Sequence, residues 1–179
     1  SDRAGNPNVW AMRPDGTDIH QVTDLPGISE YPTWSPDSDQ LAFQCTFGRI
    51  LPNGTGDFEI CVVNADGTGM AQLTDAAGES KQPAWSPDGN RIAFQSSRGG
   101  WPSLPEYTPP GYEADAFGDY EIYIMQTDGS DQQNITSHPK ADDSFPAWSP
   151  DGLIIFSRYG CLLVMTSDGA STVQLSAGG

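Results

Sequence analysis

The sequence predicts an all-β protein built of short antiparallel strands, and three observations support this fold class. Gly (20 residues) and Pro (15 residues) are abundant in a chain of 179, which is typical of many tight turns. No segment carries a sustained apolar stripe at helical spacing. One phrase occurs three times, as YPTWSPDSDQLAF (31–43), PAWSPDGNRIAF (83–94) and FPAWSPDGLIIF (145–156).

The repeated phrase recurs with a period of about 40 residues, which is a sign of a repeat architecture. Its Trp residues, at 34, 85 and 148, are 51 and 63 positions apart. Compared with the shortest copy, the first two copies carry 11 and 22 extra residues between the closing Phe and the next Asp-Gly. Without these residues the Trp spacings become 40 and 41. The length variation therefore comes from two loop insertions, residues 46–57 and 97–119.

Each repeat contains the signals for four strands in a fixed order. The first strand holds Pro-x-Trp-Ser, and a Pro-Asp-Gly turn follows because Pro presets one turn dihedral and Gly accepts positive φ. The second strand is RIAFQS (91–96) or its equivalent, and the third is an apolar run such as EIYIMQ (121–126). An Asp-Gly turn leads to a fourth strand ending in QLT (72–74), NIT (134–136) or QLS (174–176). Such a sheet, repeated at this period, is the blade of a β-propeller.

We predict a single propeller segment over 1–179, with a half blade at 1–31 and full blades at about 32–74, 83–136 and 146–176. Three arrangements are compatible with a chain that forms three full blades and one half blade. The segment is a portion of a longer propeller, or copies of it assemble through their open edges, or it is an isolated open arc. The open arc is the least favourable, because bare strand edges invite association.

The combination VVNADGTGMAQLT (62–74) with QPAWSPDGNRIAF (82–94) resembles the WD40-like PD40 repeat of the TolB family of β-propellers. The resemblance covers nearly the whole chain outside the two insertions. It implies the fold, whereas function is weakly specified, because the same blade occurs in a periplasmic protein, in propeller domains of some peptidases and in many secreted proteins.

Three functions follow from this resemblance. The first is a non-catalytic protein-interaction module, periplasmic or extracellular, that binds protein partners through its insertion-bearing face or its open blade edges. The second is an accessory propeller domain of a larger peptidase or other hydrolase. The third is a structural subunit of an extracellular or cell-envelope assembly, which requires self-association.

The charge balance limits the classes of partner. The formal net charge is −16, with only eight Lys plus Arg, so nucleic acid and anionic membrane surfaces are repelled. No apolar run approaches the roughly 18 residues of a membrane-spanning helix. A cation or a basic protein surface remains compatible with this composition.

The insertions are the predicted binding elements. If strands run from the propeller axis outward, the second-to-third and fourth-to-first connections share one face, and loops on a rigid scaffold commonly bind partners. The predicted binding residues are Arg49, Trp101, Tyr107, Tyr112 and Phe117. Aromatic side chains on a Pro-rich loop suit a protein or carbohydrate contact; the alternative is that these rings fold back onto the blades.

Acidic residues at equivalent points of two repeats suggest calcium, which prefers oxygen ligands. The candidates are Asp57, Glu59, Asp119 and Glu121, and the alternative is that they form turns at strand starts. No other cofactor is predicted, and zinc is disfavoured because the only two His residues and the Cys spacing do not form a zinc site.

Catalytic motifs are absent from the sequence. The Ser of each Trp-Ser-Pro-Asp phrase is a repeat position, and His138 precedes a Pro in a loop, where a turn or packing role is expected. We therefore predict that the chain is not an enzyme.

Three cysteines leave the redox state open. Cys45 and Cys61 are predicted on adjacent strands, where a disulfide would indicate an oxidising compartment. The sequence does not decide whether they are bridged, and Cys161 is left over.

Overall fold

The computed structural model describes residues 6–47, 57–98, 120–138 and 141–175, which form four sheets. The half blade holds β1 (Trp10–Ala11) and β2 (His20–Gln21). The first blade holds β3 (Ser29–Trp34), β4 (Gln40–Cys45), β5 (Glu59–Asn64) and β6 (Ala71–Gln72). The second blade holds β7 (Ser80–Trp85), β8 (Arg91–Ser96), β9 (Glu121–Gln126) and β10 (Gln133–Asn134). The third blade holds β11 (Asp143–Trp148), β12 (Leu153–Arg158), β13 (Cys161–Thr166) and β14 (Thr172–Gln174).

In every sheet the strands are antiparallel and neighbours follow chain order. The predicted all-β propeller of three full blades and a half blade is therefore confirmed. The first strand of the second blade, β7, contacts the first strands β3 and β11 of its neighbours, which places the three strands on the inner side of the arc. Nothing in the described ranges forms a helix long and apolar enough to cross a membrane.

The first strands begin three residues before the blade starts expected from the sequence, at Ser29, Ser80 and Asp143. Proline normally marks the start of a strand because it lacks an amide hydrogen. Here a β-bulge in each first strand leaves the Pro unpaired inside the strand, and pairing extends beyond it.

The core lies between consecutive blades, because successive side chains of a strand point to opposite faces. Phe43 of the first blade packs toward the half blade with Val9 and Val22. Its strand neighbour Ala42 packs on the other side with Phe94 of the second blade. The clusters between the blades are buried, so the first and second blades are each stabilised by a blade on both sides, and the third blade is stabilised by the second.

The Asp-Gly turns between third and fourth strands rest on the preceding blade. A Cβ added to Gly67, Gly129 or Gly169 would lie 3.0, 2.9 or 2.6 Å from a backbone oxygen of that blade. In the half blade, a Cβ at Gly16 would meet nothing within 4 Å. All four glycines have positive φ. The repeated glycine therefore serves close packing of blades as well as the turn itself.

Gly129→Ala is expected to lower the free energy of unfolding by about 1 to 3 kcal/mol more than Gly16→Ala does. Both substitutions put Ala at positive φ, so the difference isolates the collision with the Leu73 carbonyl. Urea unfolding of the two variants measures it, and equal losses would show that only the turn conformation matters.

On its inner side, β1 has no strand neighbour among the described residues. A cavity of about 480 Å³ lies there, lined in part by Trp10, Met12, Ile19 and Tyr31. Two of these side chains are largely exposed, Met12 at 65% and Tyr31 at 57%.

Candidate functional site

Both insertions leave the blades at the same edge. In a sheet of consecutive antiparallel strands, the second-to-third and fourth-to-first connections lie at one end of the strands, and the tight turns lie at the other end. We call the side of the molecule with the first set of connections the insertion face. Its described residues are 22–28, 45–47, 57–59, 73–80, 96–98, 120–121, 135–138, 141–143 and 158–161. The predicted binding residues Arg49, Trp101, Tyr107, Tyr112 and Phe117 lie outside the described residues, and their role stays a prediction.

A disulfide closes the base of the first insertion. Cys45, the last residue of β4, is bonded to Cys61 of β5, 16 positions later, with their Cα atoms 6.0 Å apart. Both residues are fully buried and pack with Val9 and Val22 of the half blade. The question that the sequence left open is therefore answered, and Cys161 is a free thiol.

Arg98 fixes the start of the second insertion to its blade. Its Nη2 donates to Ser80 Oγ at 2.9 Å and its Nε donates to Ser96 Oγ at 3.0 Å. Nη1 donates to Gln132 Oε1. The guanidinium also lies over the Tyr123 ring, 5.1 Å from its centre. Bonds to β7, β8 and the β9–β10 turn together hold this arginine in one orientation.

Tyr120 fixes the end of the same insertion. Its backbone N–H donates to Asp142 Oδ1 at 3.0 Å, and its carbonyl accepts the Asp143 N–H at 2.7 Å. Its hydroxyl donates to the Glu79 carboxylate. Burial, together with that carboxylate, raises the pKa of the Tyr120 hydroxyl above its ordinary value, so the hydroxyl remains a donor. Both ends of the second insertion are thus tied to rigid strands.

Glu59 and Glu121 are equivalent residues, each two positions after an insertion. Thr74 Oγ1 donates to Glu59 Oε2 at 2.5 Å and accepts the Ile60 N–H at 2.8 Å. Thr136 Oγ1 makes the same pair of bonds in the next blade, to Glu121 and from the backbone N–H that follows it. Each glutamate therefore joins the start of a third strand to the end of a fourth strand.

The half blade carries a neutral version of this arrangement. Thr23 Oγ1 donates to Asn8 Oδ1 at 3.0 Å and accepts the Val9 N–H at 2.9 Å. An amide oxygen thus fills the place of the carboxylate. Glu59 and Glu121 are 3% and 8% exposed, and burial, the largest cause, raises the pKa of both carboxyls to about 7, from an ordinary value of 4.5.

The contacts of Glu59 and Glu121 are relevant to the prediction of a calcium site. Among the described residues, no group of three or more His, Cys, Asp or Glu side chains is arranged to hold a metal ion. Glu59 and Glu121 accept threonine hydroxyls, and Asp57 is buried beside Glu59. Asp119 lies outside the described residues, so calcium binding stays a prediction.

The repeated serines cap turns. Ser35 Oγ donates to Asp37 Oδ1 at 2.5 Å, and Ser86 Oγ donates to Asp88 Oδ1 at 2.6 Å. These bonds, the largest cause in each case, lower the pKa of both aspartates. The His138 ring contacts the Tyr159 ring edge-on, with centres 6.5 Å apart. These contacts agree with structural roles for the serines and for this histidine.

Three residues on the inner strands form a further surface. Tyr31, Gln82 and Phe145 have φ of 51°, 52° and 58°, at the bulge of each first strand. Gln44 of the first blade accepts the Gln82 N–H through its side-chain oxygen at 3.3 Å, and Gln95 accepts the Phe145 N–H at 3.0 Å. The three residues and the prolines after them line a cavity of about 220 Å³. Phe145 is 65% exposed.

This inner surface is not among the binding surfaces predicted from the sequence. Its signal was present, since Tyr31, Gln82 and Phe145 each precede the Pro of the repeated phrase. Positive φ in a residue other than Gly costs energy and is retained where the surroundings require it. The bulge turns these side chains out of the sheet, and each phrase therefore presents one side chain at the inner rim.

Comparison with known proteins connects this architecture to a family. The model of the TolB beta propeller domain (PD40) matches residues 3–116. The chain is 30% identical over 152 residues to the TolB homolog of Chlorobium chlorochromatii, covering 85% of this chain and 28% of that protein. It is also 30% identical over 146 residues to the uncharacterized peptidase YuxL of Bacillus subtilis, covering 70% of this chain and 21% of that protein.

A solved structure of a protein assigned as TolB from Agrobacterium tumefaciens has the same fold. It superimposes with a TM-score of 0.76 at 24% sequence identity, covering 97% of this chain and 58% of that chain. The present chain thus spans between a fifth and three fifths of the length of these relatives.

Proposed function

Because the chain belongs to the TolB beta propeller domain family, we propose that it is a non-catalytic module that binds a protein partner through its insertion face. One observation carries this proposal: two insertions of different length leave neighbouring blades at the same edge, and the base of each is fixed. The disulfide fixes the first insertion, and Arg98 and Tyr120 fix the second. Fixed bases lower the entropy lost when a loop binds.

We further propose that the protein is exported, to the periplasm or the cell exterior. The Cys45–Cys61 disulfide supports this location, because such bonds persist in oxidising compartments and are rare in the cytosol. The bond lies between two strands of one blade and is fully buried, as expected of a structural disulfide.

The expected partner presents a basic surface. At a net charge of −16, the chain attracts positive patches and repels nucleic acid. Association should therefore slow as the salt concentration rises, since ions screen such attraction.

Photo-crosslinking tests the proposed face. A crosslinkable phenylalanine derivative at Tyr112, in the second insertion, is expected to capture a protein from the envelope fraction of the source cells. The same derivative at Asp15, in a turn at the opposite edge, serves as the matched control and should capture none of it. Equal capture of one protein from both positions would contradict the proposal.

The second candidate function is an accessory propeller of a peptidase. The similarity to YuxL favours it, since the region of that relative that matches this chain lies in a protein named as a peptidase. A serine-hydrolase motif in the reading frame downstream of Gly179 would support this alternative over the first. Self-association through the blade edges is a third proposal, and a strictly monomeric molar mass at high concentration would rule it out.

A further inference from the structure

A single lysine lies between the ends of the two insertions. Lys81 Nζ is 5.0 Å from the centre of the Phe58 ring and 5.8 Å from the centre of the Tyr120 ring. Phe58 directly follows the first insertion, and Tyr120 directly follows the second. The two rings belong to different blades, so Lys81 contacts the ends of both insertions at once. We call these three residues, together with Glu79, the Lys81 bridge.

Glu79 holds the lysine in this position. Its Oε2 lies 2.6 Å from Lys81 Nζ and also accepts the Tyr120 hydroxyl. The Glu79 side chain is 2% exposed and that of Lys81 is 23% exposed. A cation held over aromatic rings away from water is attracted more strongly than one at an open surface. Removing the lysine would leave the buried Glu79 carboxylate without this opposite charge.

The two aromatic rings of the bridge stand at the same position of two successive blades. The carbonyls of Pro7, Phe58 and Tyr120 each accept an N–H from the first residue of the following blade, so these three positions are equivalent. The residue before the third strand of the last blade is Gly160. Within the described residues, an aromatic ring thus stands at this position in the two copies that carry insertions and in neither of the others.

We propose that the Lys81 bridge couples the described ends of the two insertions, at Phe58 and Tyr120, into one partner-binding surface, with Lys81 as its positioning residue. The proposal rests on the proposed function of the insertions and names the contact that makes them act together. A protein partner that contacts residues 57–59 then meets residues 120–121 already in place, which lowers the entropy cost of contacting both.

Hydrogen exchange on the free protein tests the coupling without any partner. Phe58→Leu removes the ring in the first blade, and we expect about three- to tenfold faster exchange in residues 120–126 of the second blade. In a Lys81→Met background the same substitution should produce no further change there. Lys81→Arg, which keeps the cation, should restore the effect of Phe58→Leu.

Two controls separate coupling from general destabilisation. Arg13→Met removes a positive charge from an exposed pair with Asp18 at the opposite edge and should leave exchange in residues 120–126 unchanged. Residues 153–158 of β12 lie in the third blade and do not pair with β9, so they report on global unfolding and should stay protected in every variant. The coupling would be contradicted if Phe58→Leu left hydrogen exchange in residues 120–126 unchanged. It would also be contradicted if Phe58→Leu changed this exchange equally with and without Lys81. Neither result depends on whether the insertions bind a partner.

Discussion

Replacing both Cys45 and Cys61 by alanine is expected to lower the free energy of unfolding by about 3 kcal/mol, the value for a closed loop of this length. The bond joins residues 16 positions apart and restricts the unfolded chain. The loop that it closes contains the first insertion. Urea unfolding of the oxidised protein, the reduced protein and the double variant measures the loss. The double variant should lose at least as much as the reduced protein, because alanine also removes two buried sulfur atoms.

The control for this prediction is Cys161→Ala. Cys161 is a free, partly exposed thiol at the start of β13, so its replacement should change the stability little. Loss of the disulfide should also increase exchange at Val9 and Val22, because both cysteines pack against them. Identical unfolding midpoints for oxidised and reduced protein would contradict a stabilising role for the bond.

Strand order and the repeat could be predicted from the sequence, because they depend on local signals. RIAFQS and EIYIMQ become β8 and β9 with the expected bounds, since alternating or continuous apolar runs between turn residues define strands. The Asp-Gly turns were also expected, whereas the packing of Gly129 against the preceding blade depends on a neighbour far away in the chain.

The inner surface and the Lys81 bridge were beyond sequence reasoning for physical reasons. A residue before Pro favours extended backbone, so the positive φ of Gln82 and Phe145 runs against the local rule. At both positions a glutamine of the preceding blade accepts the backbone N–H. The bridge brings together Phe58, Lys81 and Tyr120 from two blades. One sequence gives no distance between such residues, and each alone is ordinary.

The candidate site was predicted in part. The insertions could be placed at one face by the count of strands alone, and Glu59 and Glu121 were identified as equivalent residues. Their chemistry could not be anticipated, because it depends on Thr74 and Thr136 at the far ends of the fourth strands. From the sequence, an acidic residue at the start of a strand predicts a turn or a metal ligand. That it is a buried acceptor for a threonine hydroxyl can be seen only in the folded structure.

Lowering the pH from about 8 to about 5 is expected to raise the unfolding midpoint, in proportion to the protons taken up on folding. Glu59 and Glu121 have a pKa of about 7 in the folded chain, whereas carboxyls in the unfolded chain titrate near 4.3. Between these values the folded state binds more protons, so stability falls as the pH rises through the window. For two such carboxyls the free energy of unfolding changes by on the order of 3 kcal/mol. One pKa unit corresponds to about 1.4 kcal/mol for each carboxyl, and the total is smaller than the simple sum because water partly solvates the charged forms.

The double variant Glu59→Gln, Glu121→Gln isolates these two groups. Acidification also relieves the repulsion of a chain with net charge −16, and both effects have the same sign. An amide keeps the acceptor oxygen for the threonine, as Asn8 does beside Thr23, but does not titrate. The variant should therefore approach the wild type only below about pH 4, where the carboxyls of the unfolded chain are also protonated, exceed it increasingly from about pH 5 to about pH 8, and show a much flatter pH dependence. Glu30→Gln, which removes a charge outside the glutamate–threonine pairs, should keep the wild-type slope. A double variant with that same slope would show that net charge, and not these buried carboxyls, sets the pH dependence.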